Sequence, residues 1–233
     1  MWKLYLAILI FSTAVNTMAQ KNSNPLVSRV DHLVYATPDL NQGIEEIEKL
    51  LGVKATPGGQ HPGRGTRNAL VQLGPTAYLE IIAPDPEQPT PTESRSFGID
   101  GLKQSMLVTW AMKGTDLAQL RNRAASKGVL YDEVKSGGRQ RPDGIKLSWQ
   151  TISPSVSEAK GLLPFFIDWG QSPHPAETAA KGATLLTLRA EHPNAKSVSA
   201  LLKSLGIDLP VIHGPTPKLI ATIQCPNGNV ELK

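Results

Sequence analysis

The sequence predicts an α+β fold in which short helices pack on one face of mostly antiparallel sheets, leaving the other face free to form a cleft. One observation behind this is a unit of strand, helix, glycine and further strands that recurs three times along the chain. Another is a pair of proline-rich polar stretches that separate the three copies.

Each unit opens on an apolar strand, at residues 30–36, 106–112 and 184–190. A helix follows, with apolar residues at i, i+3 and i+4 spacing. Residues 40–51 carry the stripe Ile44, Ile47, Leu50 and Leu51. Residues 116–127 carry Leu117, Leu120 and Ala124, and residues 195–205 carry Val198, Leu201, Leu202 and Leu205. Gly52, Gly128 and Gly206 come next, where a C-capping glycine belongs. Shorter strands close each unit, at 69–73 and 77–83, 146–152 and 163–169, and 218–224 and 229–232. Residues 84–96, with four prolines, and 170–182 disfavour regular structure. Segments of about 26–83, 97–169 and 183–233 result.

At the amino end, Lys3, the apolar run 4–15 and the small residue Ala19 follow the order of a cleavable secretory signal. A membrane-spanning helix needs about 20 apolar residues, and this run stops before Asn16, Gln20 and Lys21. The expectation is a signal peptide over residues 1–19 and an exported product, periplasmic or secreted, without a stable membrane anchor. Cleavage removes only Lys3 among the charged residues, so the net charge falls from +4 to +3. The basic residues are scattered, with no run dense enough for nucleic acid. The single cysteine, Cys225, excludes an intrachain disulfide and reads as a small buried hydrophobe. The Gly-x-Ser-x-Gly elbow, CxxC pairs and HExxH are all missing, so serine, cysteine and zincin-type hydrolysis have no support.

The first unit carries the most specific residues. Val30-Asp31-His32-Leu33-Val34-Tyr35-Ala36, the helix ending Leu50-Leu51-Gly52, the stretch 58–68 and Tyr78-Leu79-Glu80-Ile81-Ile82 resemble the glyoxalase-like branch of the vicinal oxygen chelate superfamily. The resemblance runs from about Val30 to Gly170, and the chain's ending, Pro226-Asn227-Gly228-Asn229-Val230-Glu231-Leu232, resembles the last strand of a further module. It implies a glyoxalase-like domain over 26–169, built from modules 26–83 and 97–169, and a third βαβββ-like module over 183–233. It further implies curled mixed or antiparallel sheets around a cleft, with helices on the outer face. A divalent metal (Zn, Fe, Mn or Ni) would serve lyase, isomerase or dioxygenase chemistry on a small oxygen-rich molecule. Three modules leave one unpaired, and a homodimer is one way of completing the cleft. The alternative is a metal-free small-molecule binding protein of the cell envelope.

His32 and Glu80 stand at the ligand positions of the first and last strands of module one. Strand alternation puts Val30, His32 and Val34 on one face, and Tyr78, Glu80 and Ile82 on another. A histidine and a glutamate among apolar neighbours need a partner. Their donor atoms suit the metals named above; the blander reading is a His–Glu hydrogen bond. Glu231 is the third candidate ligand. The first strand of segment two offers no ligand, and its last strand offers only Asp168, placed here with the substrate-binding set.

The stretch 58–68 supplies His61, Arg64, Thr66 and Asn68 as a substrate-gripping loop, or else as a polar surface hairpin. Within it His61 is the candidate proton donor, while Glu80 doubles as a base. The analogous stretch 136–144 offers Arg139 and Arg141, either as a carboxylate clamp or as solubilising charge. Trp110, Trp149 and Trp169 would wall an apolar pocket or serve as plain core. His174, His192 and His213 read as surface residues.

Overall fold

The computed structural model describes residues 25–155, 159 and 161–233. The signal peptide expected over residues 1–19 lies outside them. Among the described residues no helix is long and apolar enough to cross a membrane.

A single-turn helix, α1 (Pro25–Arg29), leads into β1 (Val30–Ala36), α2 (Leu40–Leu51), β2 (Thr56–His61), β3 (Thr66–Gly74) and β4 (Ala77–Pro84). The second unit is β5 (Met106–Lys113), α3 (Leu117–Ala125), β6 (Lys135–Gln140), β7 (Lys146–Ile152) and β8 (Phe165–Asp168). The third is β9 (Thr184–His192), α4 (Ala195–Ser204), β10 (Val211–His213), β11 (Lys218–Cys225) and β12 (Gly228–Leu232).

The helices end for the reasons read from sequence. Asp39 caps α2 by accepting from the Gln42 N–H at 2.9 Å. Gly52 closes it at φ 70°, with its own N–H bonded to the Glu48 carbonyl at 2.8 Å. Ile47 and Leu51 are fully buried, a contribution of about 2 kcal/mol each. The other face of α2 is wet.

The first two units share one topology and join into a single eight-stranded sheet of order β2-β3-β4-β1-β5-β8-β7-β6. Within each unit the first and last strands run parallel, β1 with β4 and β5 with β8. The units meet where β1 pairs antiparallel with β5. The sheet curls until its edges approach: Arg139 of β6 donates to the Gly58 carbonyl of β2, and a Cβ on Gly59 would lie 2.6 Å from the Gln140 carbonyl. Leu33, Tyr35, Leu79, Ile81 and Met112 form one core with residues of the helices and of the third unit. Val34, Ile82, Ala111, Trp149, Phe165 and Ile167 form a separate cluster toward the cleft. The fold is thus mixed α+β around a curled, nearly barrel-shaped sheet.

The third unit has the expected succession of strand, helix and three strands but pairs them differently. Its four-stranded sheet has order β10-β9-β11-β12, with β9 parallel to the short β10 and antiparallel to β11. In the first two units the opening strand instead runs parallel to the last one. The sheet docks on the first two units through Leu185, Leu188, Leu219 and Ile223, which share their main core. The Lys233 carbonyl accepts from the Leu107 N–H at 3.0 Å. The cleft-forming pair of units is therefore complete within one chain.

Candidate active site

The concave face encloses a cavity of about 860 Å³. One wall comes from β1, β3, β4 and the β2–β3 hairpin, the other from β5, β6, β7 and β8.

His32 reaches the cavity by way of an irregularity. Val30 pairs with Met112 and His32 with Ala111, so Asp31 is the extra residue of a bulge. Plain alternation would put Val30 beside His32. The bulge instead turns Val30 into the main core and brings Asp31 and His32 together at the cleft. The Asp31 carboxylate is 2.7 Å from His32 Nδ1. A carboxylate only accepts, so Nδ1 carries the proton and Nε2 is left facing the cavity. Tyr78 stacks on the imidazole at 4.6 Å and Phe165 meets it edge-on at 5.2 Å.

Asp31 also accepts from His174 Nε2 at 3.1 Å and from Trp169 Nε1 at 3.2 Å. Burial opposes its charge, yet the hydrogen bonds from His174 and His32 hold the carboxyl far below the usual carboxylate range. His174, expected at the surface, is thus an inward-facing partner; its Nδ1 accepts from the Ala176 N–H and caps a 3-10 turn at Pro175–Glu177. His192, also expected at the surface, is buried, and its Nδ1 accepts from the Asn194 N–H. Neither was legible: loop composition does not say whether a side chain such as His174 folds back, and the expected strand 184–190 stopped short of His192, the last residue of β9.

Glu80 lies between two imidazoles: Oε2 is 3.8 Å from His32 Nε2, and Oε1 is 3.8 Å from His61 Nε2. Asn68 Nδ2 donates to Glu80 Oε1 at 2.6 Å and lies 3.3 Å from His61 Nε2. His61 Nδ1 is 2.9 Å from the Thr66 hydroxyl. Burial pushes His61 down to about 4, with Glu80 opposing and Arg139 and Arg64 reinforcing. At neutral pH His61 is therefore an uncharged acceptor at Nε2. The hairpin and the gripping loop expected as alternatives coincide: Gly59 pairs with Asn68 and His61 with Thr66 across β2 and β3. A Cβ on Gly58 would sit 2.1 Å from Asn68 Oδ1, so a larger residue there displaces the Asn68 amide from its place beside Glu80.

Two arginines complete the polar end. Arg64 lies at the mouth with its guanidinium 6.0 Å from the Trp149 ring centroid. Arg139 is 6 % exposed, bonds the Gly58 carbonyl and pairs with no carboxylate among the described residues. Burial works against its charge and lowers its pKa, while Tyr78 and Glu80 favour the cation.

Three expected site residues lie elsewhere. Glu231 sits on the exposed edge strand β12, paired with Arg189 at 2.8 Å and Lys233 at 3.1 Å. Trp110 points to the opposite face of β5, fully buried, its Nε1–H donating to the Leu162 carbonyl at 2.9 Å. Asp168 accepts from the Gly170 N–H, while Phe165 and Ile167 on the same strand face the cavity. His32, His61, Arg64, Thr66, Asn68 and Glu80 are brought together, as are Trp149 and Trp169.

Divalent metals are common in clefts of this kind, and His32 Nε2 and Glu80 are suitable donors for one. Glu80 separates the two imidazoles, however, and the facing wall offers Val108, Thr109, Phe165 and Ile167. Among the described residues no three of His, Cys, Asp and Glu gather into a group that could hold a metal. The protein side chains alone do not complete a metal centre.

No curated protein matches the chain in sequence. Among solved structures, a hypothetical protein from Staphylococcus aureus is similar, with a TM-score of 0.61 and 18% identity over 87% of this chain and 83% of that one. Methylmalonyl-CoA epimerase from Mycobacterium tuberculosis follows at TM-score 0.44 and 23% identity, covering 64% of this chain and 92% of that one. A Streptomyces coelicolor methylmalonyl-CoA epimerase variant, in complex with 2-nitronate-propionyl-CoA, has TM-score 0.44 and 17% identity over 60% and 95%. In sequence, residues 30–206 match the family described as glyoxalase-like domain. Glyoxalase-like domains as a class support, at a coarse level, metal-dependent chemistry on small molecules. With that match spanning more than half of its length, and with the curled paired-unit sheet to accompany it, this chain belongs to the glyoxalase-like domain family of the vicinal oxygen chelate superfamily.

Proposed function

We propose that this protein is a small-molecule enzyme of the isomerase or lyase class that moves a proton on an anionic, oxygen-rich substrate. The observation that carries this is the Asp31–His32 pair set beside Glu80 in a cavity flanked by Arg64 and Arg139. Asp31 fixes the tautomer of His32, so that Nε2 can take a proton from a carbon next to a carbonyl. The imidazolium that forms lies between the carboxylates of Asp31 and Glu80. Arg139 and Arg64 supply donors for carboxylate or enolate oxygens where negative charge develops. Asn68, which donates to Glu80 Oε1 and lies against the Nε2 acceptor of His61, keeps the Glu80 carboxylate in register. The test is deuterium exchange: three-carbon and four-carbon 2-oxo acids and 1,2-dicarbonyls in D₂O, followed by NMR with wild type and His32→Asn. Catalysed exchange that disappears in His32→Asn is expected; exchange that survives unchanged would remove His32 as the base.

A second reading retains a divalent metal (Zn, Fe, Mn or Ni) on His32 Nε2 and Glu80, with substrate oxygens completing its shell. The Asp31–His32 bond favours it, because a ligating histidine ordinarily donates its other N–H to a carboxylate or carbonyl. The metal would supply Lewis-acid polarisation of the substrate oxygens. Metal analysis of residues 20–233, purified without chelators, decides: about one transition metal per chain, lost in His32→Ala, supports this reading. Export belongs to the proposal as well, and an exported product beginning at Gln20 is its direct check.

A further inference from the structure

We propose that the substrate is a 2-oxo acid carrying an aromatic body, and that Phe97 is the residue that selects it. This deepens the reading of the cleft as a small-molecule site and rests on it. Phe97 has φ 65° and ψ 14°, left-handed backbone that a bulky aromatic residue rarely adopts. Such strain persists only where the surroundings enforce it, and it concentrates at ligand clamps.

The enforcement is visible on either side of the ring. The Arg95 backbone N–H and guanidinium both bind the Asp100 carboxylate, at 2.8 and 2.5 Å, closing a short loop around Phe97. Arg95 Nε also donates to the Gly65 carbonyl at 2.7 Å, tying that loop to the β2–β3 hairpin that carries Arg64. With its backbone so held, the Phe97 side chain lines the cavity. Its ring lies 5.9 Å from Phe165, whose own ring meets His32 edge-on. An aromatic row therefore leads from the inter-unit linker to the candidate base. Leu102, Val108 and Ile167 extend the same apolar surface.

The cavity, about 860 Å³, falls in the range of about 300–1,000 Å³ that accommodates drug-sized ligands. A three-carbon acid would leave most of that surface in contact with water. A buried arginine without a carboxylate partner at one end and a row of rings along the wall call for one molecule with both characters. The acid group would meet Arg139 and Arg64, and the ring would lie against Phe97 and Phe165.

Calorimetric titration with phenylpyruvate, pyruvate and the neutral ketone 4-phenyl-2-butanone tests this on wild type, Phe97→Gly and Phe97→Leu. Glycine suits the left-handed backbone, so Phe97→Gly removes the ring without adding strain, and melting curves check that each variant is folded. Phenylpyruvate is expected to bind about tenfold more tightly than pyruvate, and also more tightly than the ketone. Phe97→Gly should abolish most of the advantage over pyruvate while leaving pyruvate itself unchanged, with Phe97→Leu in between. Equal binding of the two acids, or no binding of phenylpyruvate, overturns the substrate class. An undiminished ratio in folded Phe97→Gly overturns the role of Phe97. Selective binding of phenylpyruvate without catalysed deuterium exchange would sink the proton-transfer reading alone. Exchange on small oxo acids with no preference for the ring would sink this proposal alone.

Discussion

His61 makes the stability of this protein depend on pH in a calculable way. In the folded chain burial, with help from Arg139 and Arg64, lowers it from 6.5 to about 4. The unfolded chain therefore takes up a proton below about pH 6.5 that the folded chain refuses until about pH 4. Stability falls as pH falls through that window, and this residue costs nothing further below it. At 1.36 kcal/mol per pH unit, the displacement is worth about 3 kcal/mol. Asp31 leaves most of the window clear, because the stability from its depressed carboxyl is lost only as pH falls below the ordinary carboxyl value of 3.8. Urea denaturation at pH 7.5, 5.5 and 4.0, on wild type and His61→Gln, measures the effect. Wild type should lose about 3 kcal/mol more than the variant between the two extremes. Long-range ¹H–¹⁵N spectra should find the neutral ring protonated at Nδ1, the atom facing Thr66. Parallel pH dependences, or a ring that titrates near 6.5, would refute the buried, arginine-flanked description of His61.

Three further substitutions separate the site from its surroundings. Asp31→Asn keeps the shape but removes the charge that three donors face; it should cost about 3 kcal/mol and release His32 from its fixed tautomer, read from denaturation and ¹⁵N shifts. Trp110→Phe strands the buried Leu162 carbonyl, at about 1–2 kcal/mol, and calorimetry should find small-molecule binding unchanged. Glu231→Ala breaks an exposed pair with Arg189 and should leave the urea midpoint essentially unchanged, with metal content unaffected.

Much of the fold was legible because its determinants are local. Strands β1 and β7 begin and end where the apolar runs do, and Gly52, Gly128 and Gly206 all adopt positive φ just past their helices. Strands β2 and β6 were not legible. Thr56–His61 and Lys135–Gln140 are glycine-rich and polar, and they are strands only because β3 and β7 lend them hydrogen-bond partners. The same limit governs the site. His32 and Glu80 could be named from their strands, and His61 and Asn68 from the polar, glycine-rich stretch 58–68. Asp31 could not, because a one-residue bulge inverts the alternation that pointed past it. Trp110 fails for the complementary reason. A second irregularity in the β1–β5 ladder, between Val34 and Tyr35, puts both Val108 and Thr109 at the cavity and turns Trp110 away.

The division of labour between the two units follows from these placements. Units of one topology, joined through antiparallel β1 and β5, present comparable positions to one cavity, yet they carry opposite chemistry. The first supplies His32, His61, Asn68 and Glu80; the second supplies Val108, Phe165, Ile167 and Trp149, with Arg139, near Glu80, and Lys135 as cations lining the cavity. The apolar wall excludes water, and in that low-dielectric setting the field of Arg139 at Glu80 and His61 is stronger than it would be in water. A carboxylate in place of Phe165 would balance the two units but set a second negative charge in the same apolar cleft, where the two would repel. The asymmetry leaves Arg139 without a carboxylate of its own, and an incoming anion is the partner it lacks.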